Sequence, residues 1–304
     1  MRVFNEFNEN KNVSLTLGTF DGIHIGHVAV IKSAVDFAQA NALKSALITF
    51  KESPRRLLAN EKSKYIISEE EKLSLVSNLG VDFAYEIDFS QELAFMSAEE
   101  YLKNIIAKYF SPAAISCGYD HRFGRGRTGG ADFLRKMASV YKYEFFETPP
   151  QTVDGEIVGS SLIKQKLSAG LIESANKLLG RKFSIKGTIV RGNRIGGQIG
   201  FKTANIAYPN EIIKIPHGVY QAETEVRGKI YKSVANFGIR PTIKEENKKP
   251  VVEVHILDDF CSNIYGEKII VRFIKKLRDE KRFDSLNELK DQINRDIEAV
   301  VESS

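Results

Sequence analysis

A glycine-rich turn with two histidines, residues 18–27, constrains the fold of this chain more than any other segment. Apolar residues alternate before it over residues 13–17, as in a β-strand, and recur at helical spacing over residues 28–38. His24 and His27 are three residues apart, so both are expected on one face of the first helical turn, where unpaired backbone N–H groups attract anions. Imidazoles there can stabilise charge on a transferring phosphoryl or nucleotidyl group. The turn therefore predicts phosphate chemistry; the alternative is a structural turn with two solvated histidines.

The bulk composition is that of a globular protein and excludes several classes. The chain has 304 residues, 42% of them hydrophobic and 27% charged, which is long enough for two domains with separate cores. No apolar run approaches the length of a membrane span, and residues 1–12 are too polar for a signal peptide. Cys117 and Cys261 fit no metal or redox spacing. We therefore expect a cytoplasmic protein with two inert thiols and no membrane association.

The net charge of +5 is unevenly divided along the chain. Residues 183–304 carry 21 Lys and Arg against 17 Asp and Glu, whereas residues 1–182 carry 23 against 22. The surplus is small and dispersed, and no basic stripe with interleaved aromatic residues accompanies it. We expect no nucleic-acid partner, since a site for polyphosphate is enough to explain the surplus.

Residues 1–182 alternate between strand and helix patterns. Short apolar strands are predicted over residues 13–17, 45–50, 81–87, 113–117 and 143–146. Helices are predicted between them, two of which begin at capping boxes at Ser68 and Ser97. This alternation predicts an α/β fold with a doubly wound parallel sheet, whose ligand crevice lies at the C-terminal ends of the strands.

The pattern changes at residue 183. Short strand patterns over residues 185–190, 219–226, 230–234, 251–256 and 269–273 follow one another, and a capping box at Ser285 begins one final helix. Many short strands with one helix predict a small antiparallel β-barrel with a closing helix. We therefore expect two domains, residues 1–182 and 183–304, joined near residues 181–184.

The opening turn also carries a family resemblance. Its residues, Gly18-Thr19-Phe20-Asp21-Gly22-Ile23-His24-Ile25-Gly26-His27, resemble the signature of nucleotidyltransferases with an H-x-G-H motif. More narrowly, they resemble the version found in bacterial bifunctional riboflavin kinase/FMN adenylyltransferases. The resemblance extends from about Leu15 to Ala299, with several motifs in the family's order. It implies an FMN adenylyltransferase domain over residues 1–182, a riboflavin kinase domain over residues 183–304, and ATP, riboflavin and FMN as substrates.

Two further segments of the N-terminal part resemble the family's flavin-binding elements. Residues 118–124 are similar to its G-x-D-x-x-F-G loop, and residues 49–54 to its T-F-x-x-x-P segment. The resemblance implies flavin contacts for Phe50, Pro54, Asp120 and Phe123, with Asp120 placing either the flavin or Mg²⁺. On composition alone, residues 118–127 also fit a polar surface loop, whose arginines suit phosphate binding.

The resemblance also implies how the N-terminal part handles ATP. Residues 159–164 match the family's S-S-T-x-x-R element, with Ser160 at its second serine, Ser161 in place of threonine and Lys164 in place of arginine. A lysine keeps the charge without the bidentate fork. In the implied reaction the FMN phosphate attacks the α-phosphorus of ATP and pyrophosphate leaves, with Lys164 at the pyrophosphate. His24 and His27 are the implied catalytic residues, at the α- and β-phosphates. The implied ATP-phosphate contacts are Gly18, Phe20, Gly26, Ser160, Ser161 and Lys164.

In the C-terminal part, residues 200–205 lie between strand patterns and are predicted to form a loop. They resemble the G-F-P-T-A-N motif of riboflavin kinases, with Lys202 in place of proline, and Gly197 stands where that family has arginine. The resemblance implies that Gly200, Thr203 and Asn205 contact ATP phosphates. Thr203 and Asn205 are also the implied ligands of Mg²⁺, a cation that prefers oxygen donors.

Glu253 lies in a strand pattern in which it shares one face with His255. By pattern alone an exposed strand glutamate is solvated surface. The resemblance makes Glu253 the general base for the 5′-hydroxyl of riboflavin. Residues 235–242 are similar to the family's N-x-G-x-R-P-T turn, and Arg278 in its C-terminal tail is an implied flavin contact.

These residues predict a bifunctional enzyme of FAD biosynthesis, working as a monomer or weak homo-oligomer. Lys164, Gly197 and Lys202 depart from the family's pattern, so two alternatives stay open at this point. One is an enzyme that retains only one activity, for which the adenylyltransferase is favoured. The other is a non-catalytic flavin-binding regulator on the same scaffold, which the presence of His24, His27 and Glu253 disfavours.

Overall fold

The computed structural model describes residues 1–54, 57, 64–190, 201, 203–239, 250–257 and 264–302. The chain divides into two compact units, Met1–Ser160 and Ser161–Ser304. Gly197, Gly200, Lys202 and Cys261 lie outside the described residues.

The first unit is built on a parallel sheet. Its strands are β1 (Arg2–Phe4), β2 (Val13–Leu17), β3 (Lys44–Phe50), β4 (Phe83–Ile87), β5 (Ala114–Gly118), β6 (Arg122–Phe123), β7 (Gly129–Gly130), β8 (Glu144–Thr148), β9 (Thr152–Val153) and β10 (Glu156–Ile157). Six of them form one sheet in the order β1-β4-β3-β2-β5-β8, in which every pair is parallel. The pairs β6–β7 and β9–β10 are short antiparallel hairpins. The predicted parallel α/β sheet is confirmed.

Two helices of this unit begin where their capping boxes predict. The helices of the unit are α1 (Ile25–Ala40), α2 (Glu69–Asn78), α3 (Gln91–Phe95), α4 (Ala98–Tyr101), which continues as a π-helical segment over Leu102–Phe110, and α5 (Ala131–Tyr141). The Ser68 hydroxyl accepts from the Glu71 N–H at 3.2 Å. Both halves of the capping box at Ser97 are present, since Glu100 also accepts from the Ser97 N–H. The capping boxes therefore located these two helix starts correctly.

The core of the first unit surrounds β2, the strand that leads into the histidine turn. Every residue of β2 is buried, as expected for a central parallel strand covered on both faces. Leu15 pairs with Ala46 of β3 and with Ile115 of β5, and all three are at most 1% exposed. Burying a leucine side chain stabilises a fold by about 2 kcal/mol. The sheet therefore holds β2 firmly, and with it the point where the turn begins.

The second unit is a closed barrel with flanking helices. Its strands are β11 (Phe183–Val190), β12 (Ala204–Ala207), β13 (Gly218–Val226), β14 (Lys229–Ile239), β15 (Pro250–Ile256) and β16 (Lys268–Arg278), and its helices are α6 (Ser160–Ser168), which starts at the last residue of the first unit, α7 (Ile172–Leu179) and α8 (Leu286–Glu302). The strands close in the order β11-β12-β15-β14-β13-β16, and all neighbours are antiparallel. The predicted antiparallel barrel is confirmed.

The closing helix α8 packs on the outside of the barrel. Val300 of α8 forms an apolar cluster with Val219 of β13 and Val234 of β14. Asp296, on the same helix and 5% exposed, receives two N–H groups of Arg278 at 2.9 and 2.8 Å. The helix is therefore held by burial of apolar surface and by one bidentate ion pair.

One local prediction is wrong: Ala204 and Asn205 are not in a loop. Both belong to β12, which pairs with β11 and β15. The four residues of β12 contain one β-branched side chain, Ile206, so propensity gives little sign of a strand. The strand forms because the barrel closes only if β11 and β15 have a common neighbour.

A buried ion pair joins α2 to β4 in the first unit. The Lys72 ammonium lies 2.9 Å from a Glu86 carboxylate oxygen, with side chains 8% and 2% exposed. Burial raises the pKa of Glu86, contact with Glu69 raises it further, and Lys72 opposes both. The ammonium also donates to the Phe50 carbonyl at 3.0 Å, so Lys72 supports the C-terminal end of β3.

Removing one member of this pair should destabilise the first unit strongly. We expect Lys72→Met to lower the free energy of unfolding by about 3 kcal/mol, because it leaves the Glu86 carboxylate buried without its cation. The double variant Lys72→Met/Glu86→Leu should recover most of that loss. Urea unfolding followed by circular dichroism measures both. Lys44→Met is the control, since it breaks an ion pair with Asp82 whose lysine is 65% exposed and should cost about 0.5 kcal/mol. A Lys72→Met protein as stable as the control would contradict this expectation.

Candidate functional site

The histidine turn occupies the C-terminal end of β2 and leads directly into α1. Gly22 has a φ of +90°, and two larger residues, Phe20 and Ile23, also have positive φ, at +50° and +36°. Positive φ at a β-branched residue such as Ile23 is strained and persists only where the surroundings enforce it. Asp21 supplies part of that enforcement, since its carboxylate accepts from the Ile66 N–H and its carbonyl from the Ser160 hydroxyl, both at 2.8 Å.

The two histidines are stacked rather than side by side on the helix. His24 is the N-cap of α1, just outside the helix, and its Nδ1 accepts from the His27 N–H at 3.3 Å. The two rings lie 3.6 Å apart between centroids, with their planes 20° from parallel. Because Nδ1 is the acceptor, a neutral His24 ring carries its proton on Nε2. The cap therefore fixes both the orientation and the tautomer of one imidazole.

The glycines of the turn leave room for the rings. A Cβ at Gly18 would lie 3.0 Å from the Phe20 ring, and one at Gly26 would lie 3.2 Å from the His24 ring. The Phe20 ring in turn packs edge-on against His27, with centroids 5.3 Å apart. Phe20 thus packs against the histidine pair through His27. The contact with ATP implied for Phe20 stays a prediction.

The segments predicted to bind flavin follow the two strands beside β2. Phe50 ends β3, packs edge-on against Phe89 with centroids 5.4 Å apart, and is followed by Pro54. Asp120 follows β5 and is exposed; its carboxylate lies close to Gly118, where a Cβ would approach it to 3.3 Å. Since β3 and β5 are the neighbours of β2, the sheet brings these segments to the same edge as the histidines.

Phe123 occupies a different environment from the one composition suggested. Its half-buried ring contacts Tyr101 and Phe133, with centroids 5.6 and 5.9 Å away, and stacks on His121 at 5.6 Å. These contacts make Phe123 part of the first unit's core cluster, so it also anchors the loop that carries Asp120.

The remaining N-terminal residues lie at the start of α6. Ser160, Ser161 and Lys164 fall in its first five residues. The Ser160 hydroxyl donates to the carbonyl of Asp21 in the histidine turn, a contact between two residues of the first unit.

In the barrel, register brings two of the predicted residues together. Asn205 of β12 lies directly opposite Glu253 of β15, so both side chains project from the same face. Val252 and Val254, which flank Glu253, are fully buried, so Glu253 is on the outer face of the barrel with His255.

Thr203 immediately precedes β12, the strand that contains Asn205. Phe201, two residues before it, packs edge-on against His255, with centroids 5.3 Å apart. This contact holds the segment carrying Thr203 against the face on which Glu253 lies. Among the described residues, no group of three or more His, Cys, Asp or Glu side chains is arranged for a metal ion.

Arg278 is engaged by the protein itself. Its guanidinium donates to the Asp296 carboxylate and, at 3.0 Å, to the Asp279 carbonyl. Its implied contact with flavin stays a prediction. Cys117 is buried, and burial raises its pKa to about 12, which agrees with an inert thiol.

Two residues that sequence reasoning did not select stand out in the structure. His121 has an enclosed Nε2 and Asn236 of β14 an enclosed amide oxygen, and neither atom has a hydrogen-bond partner within the described residues. Asn236 lies opposite Glu253. Neither signal is available from sequence, because burial and cross-strand register exist only in the fold.

The environment of His121 makes the stability of the first unit depend on pH. Burial, reinforced by Arg122 and Arg127, lowers the pKa of His121 to about 4, against about 6.5 in an unfolded chain. Between these values the unfolded state binds a proton that the folded state does not, so stability should fall as pH falls from about 6.5 to about 4.

In His121→Phe, urea unfolding at several pH values should show a shallower fall of the free energy of unfolding with falling pH. Tyr119→Phe, a change in the same loop that removes no group titrating in this range, should keep the wild-type slope; equal slopes in all three proteins would contradict the assignment.

Comparison with known proteins matches both units. A family model described as FAD synthetase matches residues 6–162, and one described as riboflavin kinase matches residues 179–304. A bifunctional riboflavin kinase/FMN adenylyltransferase of Buchnera aphidicola subsp. Schizaphis graminum is 34% identical over 294 residues, covering 96% of this chain and 94% of its own. The protein of the same name from Bacillus subtilis is 33% identical over 289 residues, covering 93% and 89%.

A solved structure extends the comparison to the fold. The crystal structure of a protein named as a macrolide-efflux protein from Streptococcus pneumoniae superposes with a TM-score of 0.87 at 29% identity, covering 97% of this chain and 95% of that one. In the part of the present chain that the structure describes, no helix is both long and apolar enough to cross a membrane. With two domain models and relatives at this identity over nearly its whole length, the chain belongs to the bifunctional riboflavin kinase/FMN adenylyltransferase family.

Proposed function

We propose that this protein makes FMN from riboflavin and ATP, and FAD from FMN and ATP with release of pyrophosphate. The observation that carries the proposal is the stacked pair of His24 and His27 at the start of α1, where the first-turn N–H groups attract anions. The names of its relatives support the same two activities. We assign the adenylyltransferase to residues 1–182 and the kinase to residues 183–304.

Adenylyl transfer fits the helix start because the phosphates of ATP are anions and the first-turn N–H groups are donors. His24 is proposed to donate from Nε2 to the α- or β-phosphate, and His27 to stabilise charge beside it. Gly18 and Gly26 are proposed to contact the phosphates through their backbone. The hydroxyls of Ser160 and Ser161 and the charge of Lys164 serve the pyrophosphate end. The chain thus supplies positioning and charge stabilisation while the FMN phosphate displaces pyrophosphate.

The flavin is proposed to lie at the neighbouring strand ends. Phe50 and Pro54 after β3 offer apolar surface to the isoalloxazine ring, and Asp120 after β5 offers a carboxylate. Phe123 contributes an aromatic edge and anchors the Asp120 loop. Placing the flavin here brings its phosphate towards the histidine turn between the two strands.

Phosphoryl transfer is proposed for the outer face of the barrel. Glu253 acts as general base for the 5′-hydroxyl of riboflavin, with Gly200, Thr203 and Asn205 at the ATP phosphates. Thr203 and Asn205 suit Mg²⁺ because hydroxyl and amide oxygens are hard donors. When bound, that ion would neutralise charge on the transferring phosphate. Arg278, held by Asp296, is proposed to border the flavin.

We further propose that the protein works in the cytoplasm, as a monomer or weak homo-oligomer, on small molecules rather than nucleic acid. The nearly balanced charge supports small-molecule substrates.

One assay tests both proposed activities: purified protein with riboflavin, ATP and Mg²⁺, followed by chromatography of the flavins. Both FMN and FAD are expected. FAD from supplied FMN but none from riboflavin would mean that the kinase activity is absent, and no turnover would leave a flavin-binding protein.

The histidine pair should be required for one product only. We expect His27→Ala to lower the rate of FAD formation from FMN at least about 100-fold, because it removes charge stabilisation at the transferring phosphate. FMN formation from riboflavin by the same protein should be unchanged, and a urea-unfolding curve of the first unit that matches wild type is the folding control. Equal loss of both products would contradict the proposed division between the units.

The reverse pattern is expected for the barrel. Glu253→Ala removes the general base and should lower FMN formation at least about 100-fold, while FAD formation from supplied FMN stays at the wild-type rate. The control variant is Lys232→Ala, an exposed residue of the neighbouring strand β14. A Glu253→Ala protein that phosphorylates riboflavin normally would exclude this residue as the base.

A further inference from the structure

A row of polar side chains crosses three strands of the barrel. Asn205 of β12 pairs with Glu253 of β15, and Glu253 pairs with Asn236 of β14. Directly opposite residues in an antiparallel sheet have Cβ atoms about 5 Å apart on the same face. The proposed base therefore has an amide side chain on each side of it.

Asn236 is the member of this row to which no role has been given. Its amide oxygen is enclosed and accepts no hydrogen bond from the described residues. A buried acceptor left in this state costs about 1–3 kcal/mol. By contrast, Asn176 of α7 uses both ends of its amide, donating to the Phe273 carbonyl at 2.9 Å and accepting from the Phe183 N–H at 2.7 Å. The fold satisfies a structural asparagine but leaves Asn236 with an unused acceptor.

The other neighbour of Asn236 offers no donor. Across β13 it faces Val219, which is 5% exposed and packs with Val234 and Val300 beneath α8. The outer face thus changes from polar to apolar immediately beyond Asn236. A molecule lying over the polar row can therefore supply the donor that the described residues do not give to this amide oxygen.

The order of the row indicates which donor this is. Asn205 lies on the side proposed for the ATP phosphates, and Glu253 lies in the centre, where it takes the proton of the attacking hydroxyl. In an in-line displacement the carbon bearing the attacking oxygen points away from the transferring phosphorus. The rest of the alcohol therefore extends towards Asn236.

We propose that Asn236 is a substrate-positioning residue of the kinase site, whose amide oxygen accepts a hydrogen bond from the ribityl hydroxyl next to the reacting one, the 4′-hydroxyl. This inference rests on the proposed kinase function. The bond orients the ribityl chain so that the 5′-hydroxyl lies at Glu253. It also lets the site distinguish a polyol chain from an alkyl chain, because an analogue without that hydroxyl leaves the acceptor unpaired.

The test removes the acceptor and the donor in turn. Asn236→Leu keeps the side-chain volume and deletes the amide, and 4′-deoxyriboflavin lacks the matching hydroxyl. For wild type, kcat/KM should be about tenfold lower with the analogue than with riboflavin. For Asn236→Leu, the KM for riboflavin should rise about tenfold with the KM for ATP unchanged, and riboflavin and the analogue should become equivalent. Asn287→Leu, which deletes an exposed amide of α8, should behave as wild type.

Each outcome separates this inference from the proposed function. A wild-type protein that makes no FMN would refute the kinase function itself. A wild type that makes FMN, with an Asn236→Leu variant that still prefers riboflavin tenfold over the analogue, would refute only the role of Asn236. Loss of barrel folding is checked in the same sample by the KM for ATP in the kinase reaction, which should stay at the wild-type value in Asn236→Leu because the barrel itself is proposed to bind that ATP.

Discussion

The hydrogen bond from the His27 N–H to His24 Nδ1 is the interaction on which the N-terminal site depends. It ends the turn, begins α1 and sets the face and tautomer of one imidazole in a single contact. The position of this bond depends on β2, which is buried between β3 and β5 and leads into the turn. The strained conformations of Phe20 and Ile23 are the energetic cost of this arrangement, and the Asp21 contacts hold them in place.

In the barrel, the candidate site side chains are positioned by strand register rather than by a helix cap. Because the barrel is closed, each strand has two fixed neighbours, and the register between strands determines which side chains lie beside a given residue. Asn205, Asn236 and Glu253 are 31 and 17 residues apart in sequence, yet they form one row. The two units thus position their candidate site residues by different means, the first at a helix start and the second in a cross-strand row.

Much of the fold was predictable because its signals are local. Ser97 and Glu100 make a complete capping box, and the strands from Val13 to Phe146 alternate with helices as the patterns predicted. The errors occur where the cause is distant. Ala204 and Asn205 form a strand because β11 and β15 require a partner, and Arg2–Phe4 pairs with β4 although three residues are too few for a pattern.

By itself, the sequence determined the two-domain organisation, the parallel sheet, the barrel, and the positions of His24, His27 and Glu253, since periodicity, capping and motif spacing are carried by neighbouring residues. Only the tertiary structure decided that the histidines stack, that Arg278 is held by Asp296 and that Asn236 stands beside Glu253. Those facts depend on which strands become neighbours and which side chains lose water. Both are settled by the packing of the whole unit.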